Sequence, residues 1–221
     1  MGKHNDLKKL GKRVSKYVVG AEGNISKKLN GLFYVKSRGS FLKNLNDSDI
    51  VCYDFDGKQK DNFHKKGSME LNFHKYLLNN DDINYVCHTH PVNTLKILCS
   101  DYSEEFSEKR FFPDQIIFNG KKSCLIPYAT PGIELFNLIE IFVSDFIRKE
   151  KQFPKLILLE NHGIITCGKT IDECVVITEI CEKSAEIFIN NKNLNSMIYL
   201  SEEEIEKLLN DENEKYRKSL I

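Results

Sequence analysis

Two histidines separated by one residue, His88 and His90, end an apolar run that begins at Ile83. Successive side chains of a strand point to opposite faces, so the two imidazoles share a face and lie about 6–7 Å apart along the chain. Two imidazoles at that spacing can bind one Zn²⁺ through bonds of about 2.0–2.1 Å. Pro91 has no N–H group for a sheet, so it ends the strand and leaves the pair at the rim. The H-x-H pattern alone is a weak signal and more often marks two ordinary histidines than a metal site.

A third histidine lies at a corner between two predicted strands. His162, in Glu160-Asn161-His162-Gly163, separates the predicted strand Lys155–Leu159 from Ile164–Cys167. Three imidazoles and one carboxylate would form a donor set that suits Zn²⁺. The candidate ligands are far apart in the sequence, so their spacing does not establish a site.

The candidate carboxylate is Glu70, near the start of a predicted helix over Met69–Leu78 that Ser68 can cap. The inward stripe of this helix is otherwise mostly apolar and consists of Glu70, Phe73, His74, Leu77 and Leu78. A buried carboxylate is costly unless it is paired or bound to a metal, so Glu70 needs a partner. His74, one turn further on, either orients Glu70 or is an ordinary core histidine.

Two loops are candidates for binding an anion. The first contains Gly23 and Asn24, where glycines let the backbone approach a phosphate group. The second is Lys36-Ser37-Arg38-Gly39-Ser40, in which arginine can form two parallel bonds to phosphate oxygens. Each stretch is equally typical of a turn or a solvated loop.

Composition limits the class of protein. The chain has 221 residues, 41% of them hydrophobic, which suits one domain over residues 1–221. Lys plus Arg (32) equals Asp plus Glu (32), so neither a nucleic acid nor an anionic membrane is an expected partner. Charged residues interrupt the longest apolar stretch, Ile133–Ile147, which excludes it as a membrane span. The polar start has no signal-peptide pattern, and the odd number of cysteines, seven, indicates free thiols and a cytoplasmic location.

Periodicity predicts the elements that position these residues. An amphipathic helix is expected over residues 6–19, and strands over Leu32–Val35, Ile50–Tyr53 and Gln115–Phe118. A helix should open at Thr130-Pro131, with proline in its first position. Capping boxes at Thr170-x-x-Glu173 and Ser201-x-x-Glu204 should begin the last two helices.

Five motifs then follow one another in a recognisable order. They are Gly-Asn24-x-Ser, Ser68-x-Glu70-x-x-x-His74, His88-Thr-His90-Pro, Pro127-Tyr-Ala-Thr and Asn161-His162-Gly-x-x-x-x-Gly168-Lys-Thr. Together they resemble the class II aldolase and adducin head-domain family over residues 6 to 210. The resemblance implies an α/β fold, a three-layer α/β/α sandwich around a mixed, mostly antiparallel sheet. It also implies a homotetramer with active sites between subunits.

The resemblance implies a role for each matching residue. His88, His90 and His162 match zinc ligands, and Glu70 matches a catalytic acid/base beside the metal. The positions that match phosphate-binding residues are Gly23, Asn24, Gly39 and Ser68. Arg38 and Met69 stand where the family has a threonine and a second serine, so an anion is expected but not its usual pose. Tyr216 falls within one residue of a catalytic tail tyrosine when Ser201–Glu204 is aligned with the family's tail helix. The mobile-loop tyrosine falls opposite Pro113, and the role of Asp114 stays open.

The implied activity is that of a metal-dependent aldolase, a carbon–carbon lyase of carbohydrate metabolism. It would cleave a ketose, and more specifically a ketose phosphate, through a metal-stabilised enediolate. Zn²⁺ is the expected cofactor, with Mn²⁺, Co²⁺ or Fe²⁺ as alternatives. Other activities of the same family are a sugar-phosphate 4-epimerase and a dehydratase or decarboxylase. A non-catalytic adducin-like module should have lost the ligands, and an epimerase should have a tail histidine, which is absent after His162.

Overall fold

The computed structural model describes residues 4–61, 64–193 and 197–221. The strands are β1 (Asn24–Leu29), β2 (Leu32–Lys36), β3 (Ile50–Asp54), β4 (Tyr85–Thr89), β5 (Cys124–Ile126), β6 (Leu156–Leu159) and β7 (Gly163–Gly168). The helices are α1 (Asn5–Val14), α2 (Leu71–Leu78), α3 (Val92–Leu98), α4 (Ser103–Glu108), α5 (Pro113–Asn119), α6 (Ile133–Glu150), α7 (Ile171–Asn193), α8 (Glu202–Asn210) and α9 (Glu212–Ser219). Within these described ranges, no helix is both long and apolar enough to cross a bilayer.

All seven strands form one sheet in the order β3-β2-β1-β4-β7-β6-β5. Strands β5 and β6 are parallel, and the other neighbouring pairs are antiparallel. Strand β4 is central: His88 pairs with Asn24 of β1 on one side and with Ile165 of β7 on the other. The predicted mixed, mostly antiparallel sheet is therefore confirmed.

Side chains alternate between two apolar layers along β4. Val86 joins a cluster with α2 and α6, which contribute Phe73 and Ile139 among others. Its neighbour Cys87 joins a cluster on the opposite face with α1 and α7. Strands β6 and β7 alternate in the same way and are buried along their whole length, as strands covered on both faces must be. The three-layer α/β/α sandwich expected from the sequence is confirmed.

One predicted strand is wrong. Residues Gln115–Phe118 belong to helix α5, which begins with Pro113 at its first position. The proline fixes a helical φ there, and the side-chain oxygen of Gln115 accepts a hydrogen bond from the Phe111 N–H group. Three apolar residues in a row do not distinguish a buried strand from a buried helix turn, so the proline at the first helical position decided the outcome.

Several predicted boundaries also shift. The first helix ends at Val14 and continues only as a 3-10 turn over Ser15–Tyr17. Helix α6 begins at Ile133, after Gly132, so the Thr130-Pro131 pair lies outside it. The Ser201 capping box is confirmed, but the tail contains two helices, separated at Asp211.

Candidate metal centre and acid/base site

The three predicted histidines converge at one end of the central strand. One ligand atom from each of His88, His90 and His162 lies within 4.8 Å of the others. The ring centroids of His88 are 4.8 Å from those of both His90 and His162, and His90 Nε2 is 3.1 Å from His88 Nε2. Such a set of nitrogens suits a first-row divalent ion.

Hydrogen bonds orient two of these imidazoles from behind. The Nδ1 atom of His88 lies 2.9 Å from the Ile164 carbonyl oxygen, so this nitrogen donates and Nε2 keeps its lone pair. The Nδ1 atom of His90 lies 3.4 Å from Glu22 Oε2, and the backbone N–H group of His90 donates to the Tyr17 carbonyl. Glu22 supports the His90 ring, and the sequence did not reveal it because the two residues are far apart along the chain.

His162 depends on the glycine that follows it. A Cβ at Gly163 would stand 2.5 Å from the Thr89 carbonyl oxygen and 2.6 Å from His90 Cδ2. Only glycine therefore lets β7 start close enough to the end of β4 for His162 to join the pair. This steric requirement explains why a glycine follows His162.

The end of β4 is also fixed from the opposite layer. Glu182 of α7 accepts hydrogen bonds of 2.9 Å from the backbone N–H groups of Asn93 and Thr94 and from the Thr94 hydroxyl. A carboxylate at the start of α3 accepts from backbone N–H groups that have no partner within the helix. Its negative charge also interacts favourably with the positive end of the helix dipole. The segment that follows His90 is therefore held to the longest helix of the fold.

Glu70 lies beside the histidines at the start of α2 and is 7% exposed. Its Oε2 atom is 3.6 Å from His88 Nε2, and its Oε1 atom is 3.6 Å from His162 Nε2. Burial raises the pKa of Glu70, although a hydrogen bond from Asn24 and the charge of Lys36 oppose that change. A carboxyl group with a raised pKa is suited to proton transfer near neutral pH.

Three of the candidate substrate-binding residues lie close to this carboxylate. The Asn24 side-chain nitrogen donates to Glu70 Oε2 at 2.7 Å and to Ser68 Oγ at 3.1 Å. Ser68 Oγ also accepts from the Glu70 N–H group at 3.2 Å instead of capping the helix as predicted. Because Ser68 Oγ accepts twice, its own proton is available to an oxygen outside the protein. Gly23 adjoins Asn24, and a Cβ there would lie 2.8 Å from the His88 carbonyl oxygen.

Arg38 and Gly39 lie at the margin of the site, and both are exposed. The Arg38 N–H group donates to the Lys66 carbonyl at 2.9 Å, and Ser37 forms a bridge with Gly67. These contacts place the second anion-binding loop next to Ser68.

Lys36, from the same loop, is a further residue whose importance the sequence understated. It is 3% exposed, and its ammonium donates to the Ala21 carbonyl at 2.9 Å, which ties the two candidate anion-binding loops together. Burial lowers the pKa of Lys36 to about 8, against the opposing charges of Asp49 and Glu70. No residue pattern distinguishes it from a solvated loop lysine.

Tyr216 is not brought to the histidines by contacts within the described chain. It is 67% exposed on α9, one residue before Arg217, whose guanidinium donates to Asp114 at 2.7 Å. Asp114 therefore holds the tail helix against α5.

The residues present fit a divalent cation. The Glu70 Oε1 atom is buried and accepts no hydrogen bond from the described residues. All three neighbouring imidazoles are favoured as neutral groups: burial lowers the pKa of His88 and His90, and that of His162 to about 4. Three converging neutral nitrogen lone pairs beside a buried carboxylate suit a positive ion, so Zn²⁺ or another divalent ion would fit among the three imidazoles.

Comparison with known proteins gives consistent results. A family profile described as Class II Aldolase and Adducin N-terminal domain matches residues 10–189. An L-fuculose phosphate aldolase of Methanococcus maripaludis is 34% identical over 181 residues, which cover 81% of this chain and 90% of the relative. A solved L-fuculose 1-phosphate aldolase superposes with a TM-score of 0.79 at 23% identity and covers 98% of both chains.

A relative with another activity is also similar. The 3-oxo-tetronate 4-phosphate decarboxylase of Escherichia coli is 27% identical over 175 residues, which cover 77% of each chain. Proteins similar to this one therefore carry the names of both an aldolase and a decarboxylase.

Proposed function

The chain belongs to the family of class II aldolases and adducin N-terminal domains, and on this premise we propose that it is a metal-dependent aldolase that cleaves a ketose phosphate. The observation that carries the proposal is the convergence of His88, His90 and His162 with the buried carboxylate of Glu70. A non-catalytic module would have no use for a buried carboxyl group whose two oxygens lie 3.6 Å from His88 Nε2 and His162 Nε2.

His88, His90 and His162 would hold the cation, with Glu70 beside it. When bound, a divalent cation would supply Lewis-acid stabilisation for the enediolate left on the substrate after the C3–C4 bond breaks. Glu70 would carry one proton between two substrate positions: it would take the proton of the C4 hydroxyl as the aldehyde carbonyl forms and give it to C3, and would do the reverse in the direction of synthesis. Its burial keeps bulk water away from this transfer.

The substrate phosphate would lie against the two anion-binding loops. Gly23 and Gly39 would let the backbone approach it, while Ser68 donates its free proton and Arg38 adds a positive charge. The Asn24 side-chain nitrogen donates to Glu70 and Ser68, so Asn24 would contribute to phosphate binding by holding Ser68 in place.

We also propose that residues 1–221 form one domain and that the protein is a cytoplasmic homotetramer with sites at subunit interfaces. Support for assembly comes from large apolar side chains exposed near Thr130-Pro131, where Tyr128 is 57% and Ile133 60% exposed. In such an assembly Tyr216 would act at the site of a neighbouring subunit, from an exposed position on the tail.

Decarboxylation is the second candidate, because one relative of this chain carries that name. Loss of CO₂ from a 3-oxo acid also leaves negative charge on the substrate beside a carbonyl group, so the same residues would serve it. A 4-epimerase is disfavoured, since the sequence after His162 holds no histidine to return the proton on the opposite side of the sugar.

One experiment separates these reactions. Zinc-loaded protein is incubated with L-fuculose 1-phosphate, L-ribulose 5-phosphate and 3-oxo-tetronate 4-phosphate, and dihydroxyacetone phosphate, pentulose epimers and CO₂ are measured. We expect dihydroxyacetone phosphate and free aldehyde from the first substrate. Interconversion of pentulose epimers without free aldehyde, or release of CO₂ alone, would overturn the aldolase assignment. No reaction at full metal occupancy with an extended panel of ketose phosphates would favour the adducin-like module.

A further inference from the structure

Three hydrogen-bonded side chains, those of Ser26, His74 and Asn24, lie behind the Glu70 carboxylate. Ser26 Oγ is 2.6 Å from His74 Nδ1, and His74 Nε2 is hydrogen bonded to Asn24 Oδ1. The Asn24 side-chain nitrogen then donates to Glu70 Oε2 at 2.7 Å. Ser26 and His74 are 0% exposed, and Asn24 is 5% exposed. These hydrogen bonds link strand β1 to helix α2 at two positions.

The donor and the acceptor of each hydrogen bond in this series follow from the chemistry of Glu70. An ionised Glu70 can only accept, so Asn24 presents its NH₂ group to Glu70 and its carbonyl oxygen to His74. The carbonyl oxygen can only accept, so His74 carries its proton on Nε2. His74 Nδ1 is then an acceptor, and the Ser26 hydroxyl donates to it. Burial lowers the pKa of His74 to about 3, which agrees with a neutral ring.

These directions make the two oxygens of Glu70 different. Oε2 receives the Asn24 bond, whereas Oε1 is buried and has no donor among the described residues. We propose that His74 is a positioning residue: its Nε2–H group holds the Asn24 amide in the orientation that occupies Glu70 Oε2 and leaves Oε1 as the proton-transferring oxygen. This inference rests on the proposed function, in which Glu70 is the acid/base.

The alternative is that His74 only fills the core. Its ring stacks on Phe73 with centroids 4.6 Å apart, so packing contributes in any case. A packing residue would tolerate any neutral side chain of similar volume. A positioning residue would instead require a donor at the site of Nε2, and this difference can be measured.

Two substitutions separate the donor from the volume. In His74→Gln the amide nitrogen can reach the former position of Nε2 and donate to Asn24. In His74→Asn the shorter amide reaches only the position of Nδ1, so Asn24 loses its partner while Ser26 keeps one. We expect His74→Asn to lower kcat by about 10–100-fold with KM little changed, and His74→Gln to restore kcat to within about threefold of wild type. Metal content and the thermal midpoint are measured for both variants.

Equal kcat values for the two variants, at equal metal content and thermal midpoint, would overturn the proposal. Nitrogen-15 NMR of the zinc-loaded, full-length wild type gives a readout that needs no substrate and no variant. We expect a protonated Nε2 and an unprotonated Nδ1 for the His74 ring. A proton on Nδ1 would overturn the inference even if the aldolase activity is found. Failure of the aldolase assignment would instead appear as a wild type without aldol cleavage, whatever the NMR result.

Discussion

The Cα atom of Gly163 lies so close to the ring of His90 that an added methyl group would stand 2.6 Å from Cδ2. Gly163→Ala should therefore displace the His90 ring, a proposed metal ligand, without substituting any of the ligand residues. We expect zinc affinity, measured by calorimetry with a competing chelator, to fall about 10–100-fold. Gly11→Ala is the control, because its Cβ would meet the Leu42 carbonyl at 2.7 Å, away from the site. It should lower stability and leave zinc affinity unchanged; equal zinc affinities in all three proteins would contradict this.

Metal content tests the ligand set itself. We expect about one divalent ion per chain in the purified protein, since the three imidazoles offer one tetrahedral site. His90→Ala should lose this ion, whereas His64→Ala, which alters an exposed histidine, should keep it. Removal of the metal from the wild type should lower its thermal midpoint, because the ion binds only the folded protein. A metal-free protein with full activity would refute the assignment.

Glu70→Gln tests the acid/base. Glutamine keeps the shape of the side chain and an oxygen that accepts from Asn24, but it cannot carry the proton. We expect kcat to fall by about 10²–10⁴-fold while the fold and most of the metal remain. Activity is measured together with zinc content, so that loss of metal is separated from loss of proton transfer. A decrease of less than tenfold would show that another group carries the proton.

The sequence contained enough to predict that His88, His90, His162 and Glu70 come together, because residue type and local motif identify them. The layers of the fold were predictable for the same reason. The hydrogen bonds behind the site were not predictable, since His74 contacts Asn24 only after β1 pairs with β4 and α2 packs on the sheet. Residues Gln115–Phe118 were misassigned because short apolar runs fit either structure.

Assembly is the next prediction. Light scattering should give a mass near four times 25.6 kDa. Ile133→Lys would place a charge on an exposed apolar side chain at the start of α6 and should shift the protein towards smaller species. Ile198→Lys, which alters an isoleucine exposed by 84% elsewhere, is the matched control. A wild-type monomer that still turns over substrate would contradict sites built between subunits.

An ion pair under α1 predicts how stability depends on pH. Lys27 donates to both oxygens of Asp6, at 2.6 and 2.8 Å, and the Tyr85 hydroxyl donates at 2.8 Å. Burial opposes ionisation, yet these bonds lower the pKa of Asp6 overall. Its contribution to stability is therefore complete above the unfolded pKa of about 3.9 and is lost as pH falls through the lower folded value.

Asp6→Asn should accordingly lower the free energy of unfolding at pH 7, because Lys27 would keep a buried charge without a carboxylate. The difference from wild type should narrow below about pH 4, where Asp6 of the unfolded wild type begins to take up its proton. Denaturant unfolding across this range measures both effects. Asp82→Asn, which breaks an exposed pair with Lys169, should change little. A difference that stays constant down to pH 2 would show that the charge of Asp6 is not responsible.

The pairing of β4 with β7 implies that a bound metal ion would also affect the rate of unfolding. Residues 24–89 build the β3-β2-β1-β4 half of the sheet, residues 124–168 build the β7-β6-β5 half, and the histidines lie where the halves join. A bound ion would thus cross-link two parts of the chain that are far apart in sequence. Because the third ligand arrives only when the halves have met, the ion should act mainly by slowing unfolding and should affect the folding rate little.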